Sequence, residues 1–265
     1  MKVQILAYLS PEYPWRDRIH CFSTIDSTND EVKRLALSGA PHGTVILADS
    51  QTGGHGRMGR SFHSPEGMGI YLSILLRPHC APGELMHLTC AAAVAMCDAV
   101  EAAAGFRPGI KWTNDLVHGK KKLGGILTGK GLTAAGTVDY AIIGIGINCC
   151  QTEADFPEEI RDMAGSIAMV KGQNIDRSRL AAAMMDALWK MDAQLLTHKQ
   201  AILRSYRCRC ITLGREIVLV RGEDRRYGTA IDIDENGALV VRFPSGAVEA
   251  VNSGEVSVRG MYGYL

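Results

Sequence analysis

The chain has 265 residues, 46% hydrophobic and 22% charged, with 29 Lys plus Arg against 28 Asp plus Glu and a formal net charge of +1. That balance excludes a general polyanion binder, which needs a strong basic excess, and no continuous apolar run has the length of a membrane-spanning helix. Val3 to Leu9 runs into Pro11, Glu12 and Pro14 without a small-residue cleavage site, and the 8 cysteines lack C-x-x-C spacing, so reduced, mostly structural thiols in a cytoplasmic protein are expected rather than a secreted disulfide scaffold.

Residues 1–18 carry Pro11 and Pro14, show little periodicity and read as a short N-terminal extension. Ile19 to Ile25 predicts a strand. Thr28-x-x-Glu31 fits a capping box for a short helix continued by Leu35 and Ala36 and stopped at Gly39. Gly43 to Ala48 is a β-branched strand, Gln51 to Arg60 a glycine-rich segment, and Gly69 to Leu76 the next strand. Gly83 to Ala104 predicts a long, alanine-rich helix ended by Gly105. Gly109 to Val117 and Leu123 to Leu127 read as strands paired around a polar turn at His118-Gly119, and Tyr140 to Asn148 as a further apolar strand. A second long helix starts at Asp176 and runs through Leu180, Met184, Leu188 and Met191. Trp15 and Trp189 read as packing residues. From Ile211 the character changes to short strands (217–221, 226–232, 238–243, 247–251) with turn chemistry at 234–237 and 244–246, enough for a five-stranded barrel after a boundary near residue 210.

The glycine signals differ in value. Gly124 to Gly131 contains G-x-x-x-x-G-K, but Gly131 stands where a P-loop needs Ser or Thr, and Ile126-Leu127 read as strand. Gly144-x-Gly146 lacks the third glycine of a dinucleotide fingerprint and reads as a strand with two small residues for close packing. Gln51 to Arg60 is different. Its glycines let successive backbone N–H groups turn toward one anion, and Arg57 and Arg60 add donors suited to phosphate or carboxylate; a plain surface loop is the competing reading. On a strand, Lys111, Thr113 and Asp115 would share one face, and Trp112 and Asn114 the other. Lys122 enters a strand beside Gly124 and Gly125, where a ligand could approach closely; a solvated lysine turn is its competing reading.

Asp26-Ser27-Thr28-Asn29, the loop from Gln51 to Arg60, Lys111-Trp112-Thr113-Asn114-Asp115, Lys122 to Leu127, Gly144 to Asn148 and the ending Gly254 to Gly260, taken in this order, resemble the biotin protein ligase family. The resemblance runs from Ile19 to Gly260. It implies an α/β catalytic domain with a mixed sheet over residues 1–210, followed by a small SH3-like β-barrel over 211–265. It implies formation of biotinyl-5′-AMP from biotin and MgATP, then transfer to a lysine of the biotin carrier domain of a carboxylase.

By the same resemblance, Ser27, Thr28, Asn29, Gln51, His55, Gly56, Arg57, Lys122 and Gly125 surround biotin. Arg57, Arg60, Lys111, Trp112, Asn114 and Asn148 face ATP or the adenylate, and Asp115 holds Mg²⁺. Lys122, Arg57 and Asp115 are the expected catalytic groups. His55 stands where the family usually has Arg or Lys, and Thr128-Gly-Lys-Gly131 where it commonly has an acid. The residues ahead of Ile19 are too few for the winged-helix DNA-binding domain of many family members, so specific DNA binding is not expected; a homodimer is compatible with the pattern. A lipoate or octanoyl ligase, which shares the fold, and a non-catalytic biotin-binding regulator are the alternatives.

Overall fold

The computed structural model describes residues 2–252 and 257–260. Helix α1 (Lys2–Tyr8) leads to β1 (Ile19–Ile25), α2 (Thr28–Leu37), β2 (Thr44–Gln51) and β3 (Gly69–Leu76), then α3 (Leu88–Ala104). A run of strands follows: β4 (Gly109–Lys111), β5 (Asp115–His118), β6 (Lys121–Leu132) and β7 (Val138–Asn148). Short helices α4 (Glu158–Arg161) and α5 (Ile167–Lys171) precede the long α6 (Arg177–Gln194) and α7 (Lys199–Arg209). The chain ends in β8 (Glu216–Arg221), β9 (Asp224–Ile233), β10 (Leu239–Arg242), β11 (Val248–Val251) and β12 (Ser257–Gly260).

Two sheets result. The first has seven strands in the order β1-β2-β3-β7-β6-β5-β4, with β1 parallel to β2 and the other pairs antiparallel. The second has five antiparallel strands in the order β11-β10-β9-β8-β12. This is the expected α/β architecture with a mixed sheet followed by a small β module. Gly254 to Val256 of the recognised ending lie outside the described residues, while Ser257 to Gly260 pair with Val220 to Ile217.

The alternation of β7 divides the work of the large sheet. Ile143, Ile145 and Ile147 belong to the main core, together with Ile70, Leu72 and Ile74 of β3 and the buried alanines of α3. Tyr140 and Ile142 on the other face pack with Val32 and Ala36 of α2. Beyond Ile142 that face carries only Gly144, Gly146 and Asn148, so α2 covers one half of it and leaves the other half open.

Some expectations change. Residues 2–18 are not a loose extension: Ile5, Leu9, Tyr13 and Trp15 are buried, and Tyr13 stacks edge-on against Trp15 and Trp189. A seven-residue helix followed by two prolines is too short to show a period, which is why the pattern hid it. The long alanine-rich helix is broken into a 3₁₀ turn, Pro82–Leu85, and α3 proper, closed by Gly105 at φ 76°. The combined segment Pro82–Ala104 does reach the length and hydropathy of a membrane span, but 67% of that window is buried inside the fold, as befits a core helix. Helix α7 was not anticipated; Lys, Gln and Arg interrupt its apolar face.

Candidate active site

The open half of the sheet face is the floor of a cavity of about 850 Å³, near the upper end for small-ligand sites. Register places Tyr71, Gly146, Gly125 and Asp115 in one row across β3, β7, β6 and β5, and Ser73, Gly144 and Leu127 in the next. The glycines are spatially required. A Cβ at Gly144 would lie 2.0 Å from Asn29 Oδ1, and one at Gly146 would lie 2.5 Å from the Phe62 ring. Gly144→Ala is therefore expected to destabilise the fold by about 1–3 kcal/mol through overpacking. Chemical denaturation reads this; an unchanged midpoint would mean that Asn29 swings aside freely.

One wall is the start of α2. The N-cap is Ser27, whose Oγ accepts from the Asp30 amide at 3.3 Å, and not Thr28 as the capping-box pattern suggested. Thr28 instead turns inward, and its N–H and hydroxyl both donate to Gln51 Oε1, at 2.8 and 3.0 Å. Gln51 Nε2 donates to Ser64 Oγ, and Ser73 Oγ lies 2.8 Å from Thr28 Oγ1 and 2.6 Å from Asn29 Oδ1. Ser27, Thr28 and Ser73 are buried, so this network holds a polar wall in a fixed shape.

The glycine-rich loop after β2 is pinned at its root. Phe62 N–H donates to Gly54 O at 2.9 Å, and Gly53 N–H to Asp26 O at 2.8 Å. Its tip turns through Met58 and Gly59, at φ 57° and 73°. Arg57 reaches from the tip to Asn114 Oδ1 at 3.0 Å. Burial lowers its pKa, while the Asp115 carboxylate acts in the opposite direction. The His55 imidazole is spent locally, with Nε2 2.8 Å from Asp30 Oδ2 in the first turn of α2.

At the floor, Lys122 Nζ lies 2.6 Å from Asp115 Oδ1. A Cβ at Gly125 would meet Lys122 Nζ at 3.3 Å and Asp115 Oδ1 at 3.6 Å, so the bare backbone there lets the pair lie flat on the sheet. Lys122 is also fixed through its main chain: its N–H donates to Met163 O and its carbonyl accepts from Gly165 N–H. The Asn148 side-chain amide serves the same wall, since Nδ2 donates to Gly165 O at 2.9 Å and Oδ1 accepts from Gln151 Nε2 at 3.3 Å.

The Lys111 to Asp115 segment is not a continuous strand, so the alternation drawn from it fails. It is a tight connection between β4 and β5, and Lys111 pairs with Asp115 across the hairpin. The Trp112 indole N–H donates to Gly237 O, in the turn between β9 and β10 of the second sheet, at 3.0 Å. Asn114 Nδ2 donates to Ile126 O, which leaves its Oδ1 to receive Arg57. No cluster of three or more His, Cys, Asp or Glu suited to a metal occurs among the described residues.

Comparison with known proteins fits this geometry. The model of the biotin/lipoate A/B protein ligase family matches residues 21–148, and that of the biotin protein ligase C-terminal domain matches residues 212–259. A bifunctional ligase/repressor from Bacillus spizizenii is 36% identical over 238 residues, covering 88% of this chain and 72% of that protein. The chain belongs to the biotin protein ligase family. A biotin–[acetyl-CoA-carboxylase] ligase from Paracoccus denitrificans is 32% identical, over 83% of this chain and 92% of that protein. The solved biotin protein ligase from Aquifex aeolicus, in complex with biotin and ATP, superposes with a TM-score of 0.76 at 30% identity, over 91% of this chain and 98% of that one.

The chain is accordingly a ligase. Every residue expected around biotin or ATP in this ligase lines this one cavity. The P-loop and dinucleotide patterns are absorbed as sheet: 124–131 lies inside β6, and 144–146 inside β7. Sequence reasoning missed Phe62, Phe156, Ile160 and Met163, which give the cavity apolar lining, and Val258, which reaches it from β12. A lone apolar residue in a loop carries no periodic signal. The aromatic Phe62 two residues after Arg60 was the one detectable hint.

Proposed function

We propose that this cavity joins biotin to ATP as biotinyl-5′-AMP and then passes the biotinyl group to one lysine of the biotin carrier domain of a carboxylase. The observation that carries the reading is the Lys122–Asp115 pair lying on a glycine floor, with Arg57 held nearby by Asn114. The Aquifex aeolicus relative bound to biotin and ATP, and the Paracoccus denitrificans relative named for its carboxylase, support it.

Biotin's polar ureido ring requires a buried site that pairs it. The α2 wall suits that need: the Ser27 hydroxyl caps the helix as an acceptor and keeps its own proton to donate, while Gln51 and Thr28 hold the wall in register. The biotin carboxylate is already ionised near neutral pH, so its attack on the α-phosphorus needs no general base. A carboxylate oxygen forms the new bond to phosphorus as pyrophosphate leaves. The barrier is the approach of two anions, and Lys122 and Arg57 supply the fixed positive charge. Lys111 and Arg60, also in the lining, suit the phosphate chain.

Mg²⁺ is usually bound by one or two carboxylates plus substrate phosphates. The Asp115 carboxylate, set among cationic groups, therefore fits an ion carried in on the triphosphate, and would supply it with one protein ligand. In the second step the acceptor amine attacks the mixed-anhydride carbonyl, AMP departs, and Asp115 takes the proton released by the amine.

Incubating the protein with MgATP, a carrier domain and either biotin or lipoate, followed by intact-mass spectrometry, tests the reading. Biotin added to a single lysine is the expected result. Lipoate added instead would transfer the protein to the lipoate branch of the family. Tight biotin binding without any covalent product would make it a non-catalytic biotin-binding regulator.

A further inference from the structure

The connection between β4 and β5 carries Lys111 on entry and Asn114 and Asp115 on exit, yet its conformation is set from behind the cavity. Three hydrogen bonds reach it from that side. The Trp112 main-chain N–H donates to Thr212 Oγ1 at 2.9 Å, the Trp112 indole N–H donates to Gly237 O at 3.0 Å, and the Tyr206 hydroxyl donates to Thr113 O at 3.0 Å. The anchors come from α7, the segment after it and the turn between β9 and β10. None of the anchor residues lines the cavity.

Tyr206 is fully buried, at 0% exposure, and burial keeps its phenol protonated as a donor. A buried tyrosine hydroxyl needs a partner. The partner it has is the carbonyl directly before Asn114, which in turn holds Arg57, and Asp115, which holds Lys122. A shift of this turn therefore moves both cationic groups at once.

We infer that Tyr206 is a positioning residue for adenylate formation, fixing through Thr113 the turn that places Asn114 and Asp115, with Thr212 as its companion anchor. The inference rests on the reading of the cavity as the site where biotin meets ATP. Small displacements of reacting groups are costly; about 1 Å can lower a rate by two orders of magnitude. The phenylalanine variant keeps the ring and removes only the anchor bond.

The experiment compares full-length wild type with Tyr206→Phe in biotin affinity by calorimetry, kcat and KM for ATP from biotin-dependent pyrophosphate release, and transfer to a carrier domain from supplied biotinyl-AMP. The expected result is a loss of about fivefold or more in kcat/KM for ATP, with transfer falling as well because Asp115 serves that step, and biotin affinity within about twofold of wild type. Tyr206→Phe with wild-type ATP kinetics, even with a lowered Tm, overturns the inference and makes the bond purely structural. Losses of equal size in biotin affinity overturn it as well. If Tyr206→Phe does not fold, Thr212→Val removes the companion anchor and is judged by the same split. Wild-type protein that releases no pyrophosphate would overturn the adenylation reading and this inference together, whereas a working wild type with an indistinguishable variant overturns the inference alone.

Discussion

Lys122→Ala is expected to lower the rate of biotinyl-AMP formation by about a hundredfold or more, the usual loss when a preorganised charge donor is removed from a site of developing anionic charge. Two effects combine. The ammonium that would bridge the carboxylate and the α-phosphate disappears, and Asp115, now lacking the ammonium at 2.6 Å, presents more of its negative charge to the incoming triphosphate. The Asp115 side chain is only 17% exposed, so water screens it poorly. Stability should change little by comparison, because Lys122 stays anchored in β6 through its main-chain bonds to Met163 and Gly165. Rapid-quench measurement of the adenylate in single turnover checks this. A variant as fast as wild type would move the activating charge to another residue, with Arg57 the first to examine.

Arg57→Gly is expected to release the intermediate. A charge-assisted hydrogen bond contributes about 1.5–3 kcal/mol, which is roughly a tenfold to hundredfold change in retention. The same substitution cuts the contact with Asn114 Oδ1 and adds a further glycine beside Gly56, so the loop tip loses its tether to the β4–β5 connection and gains backbone freedom. Biotinyl-AMP should leave faster than it is used and acylate exposed lysines of bystander proteins. The dissociation rate of the preformed adenylate, followed together with diffuse labelling of an added inert protein, decides the matter. An unchanged rate and labelling confined to the carrier lysine would show that Arg57 does not retain the adenylate.

The sequence showed what is periodic or locally punctuated. Gly69 to Leu76 forms β3 with the expected bounds, and Asp176 caps α6 by accepting from the Ser178 and Arg179 amides. The motifs that resembled the family led to residues that do share one cavity. What stayed hidden depends on partners distant in sequence. Nothing near His55 announces that its imidazole meets Asp30, and nothing near Trp112 announces Gly237. The Lys111 to Asp115 segment was misread because β-branched and aromatic residues in a row imitate a strand, whereas the long-range bonds from Thr212 and Tyr206 stabilise a turn there. Ser27 and Thr28 both have capping chemistry. Which of them capped α2 was settled by Gln51, which offers Thr28 a better acceptor inside the fold.

The glycine floor has a consequence for how such a site can diversify. Gly125, Gly144 and Gly146 present main chain, not side chains, to the cavity, and their amides and carbonyls are occupied by sheet pairing. A floor of that kind has no rotamers to select and no intermediate sizes to sample: the smallest available change is a whole methyl group, placed within 2.0 to 3.3 Å of Asn29, Phe62 or Lys122. Adaptation to a different acid must then be written in the α2 wall, the loop tip and the apolar residues Phe156, Ile160 and Met163, which can change by single steps while the base of the cavity stays the same.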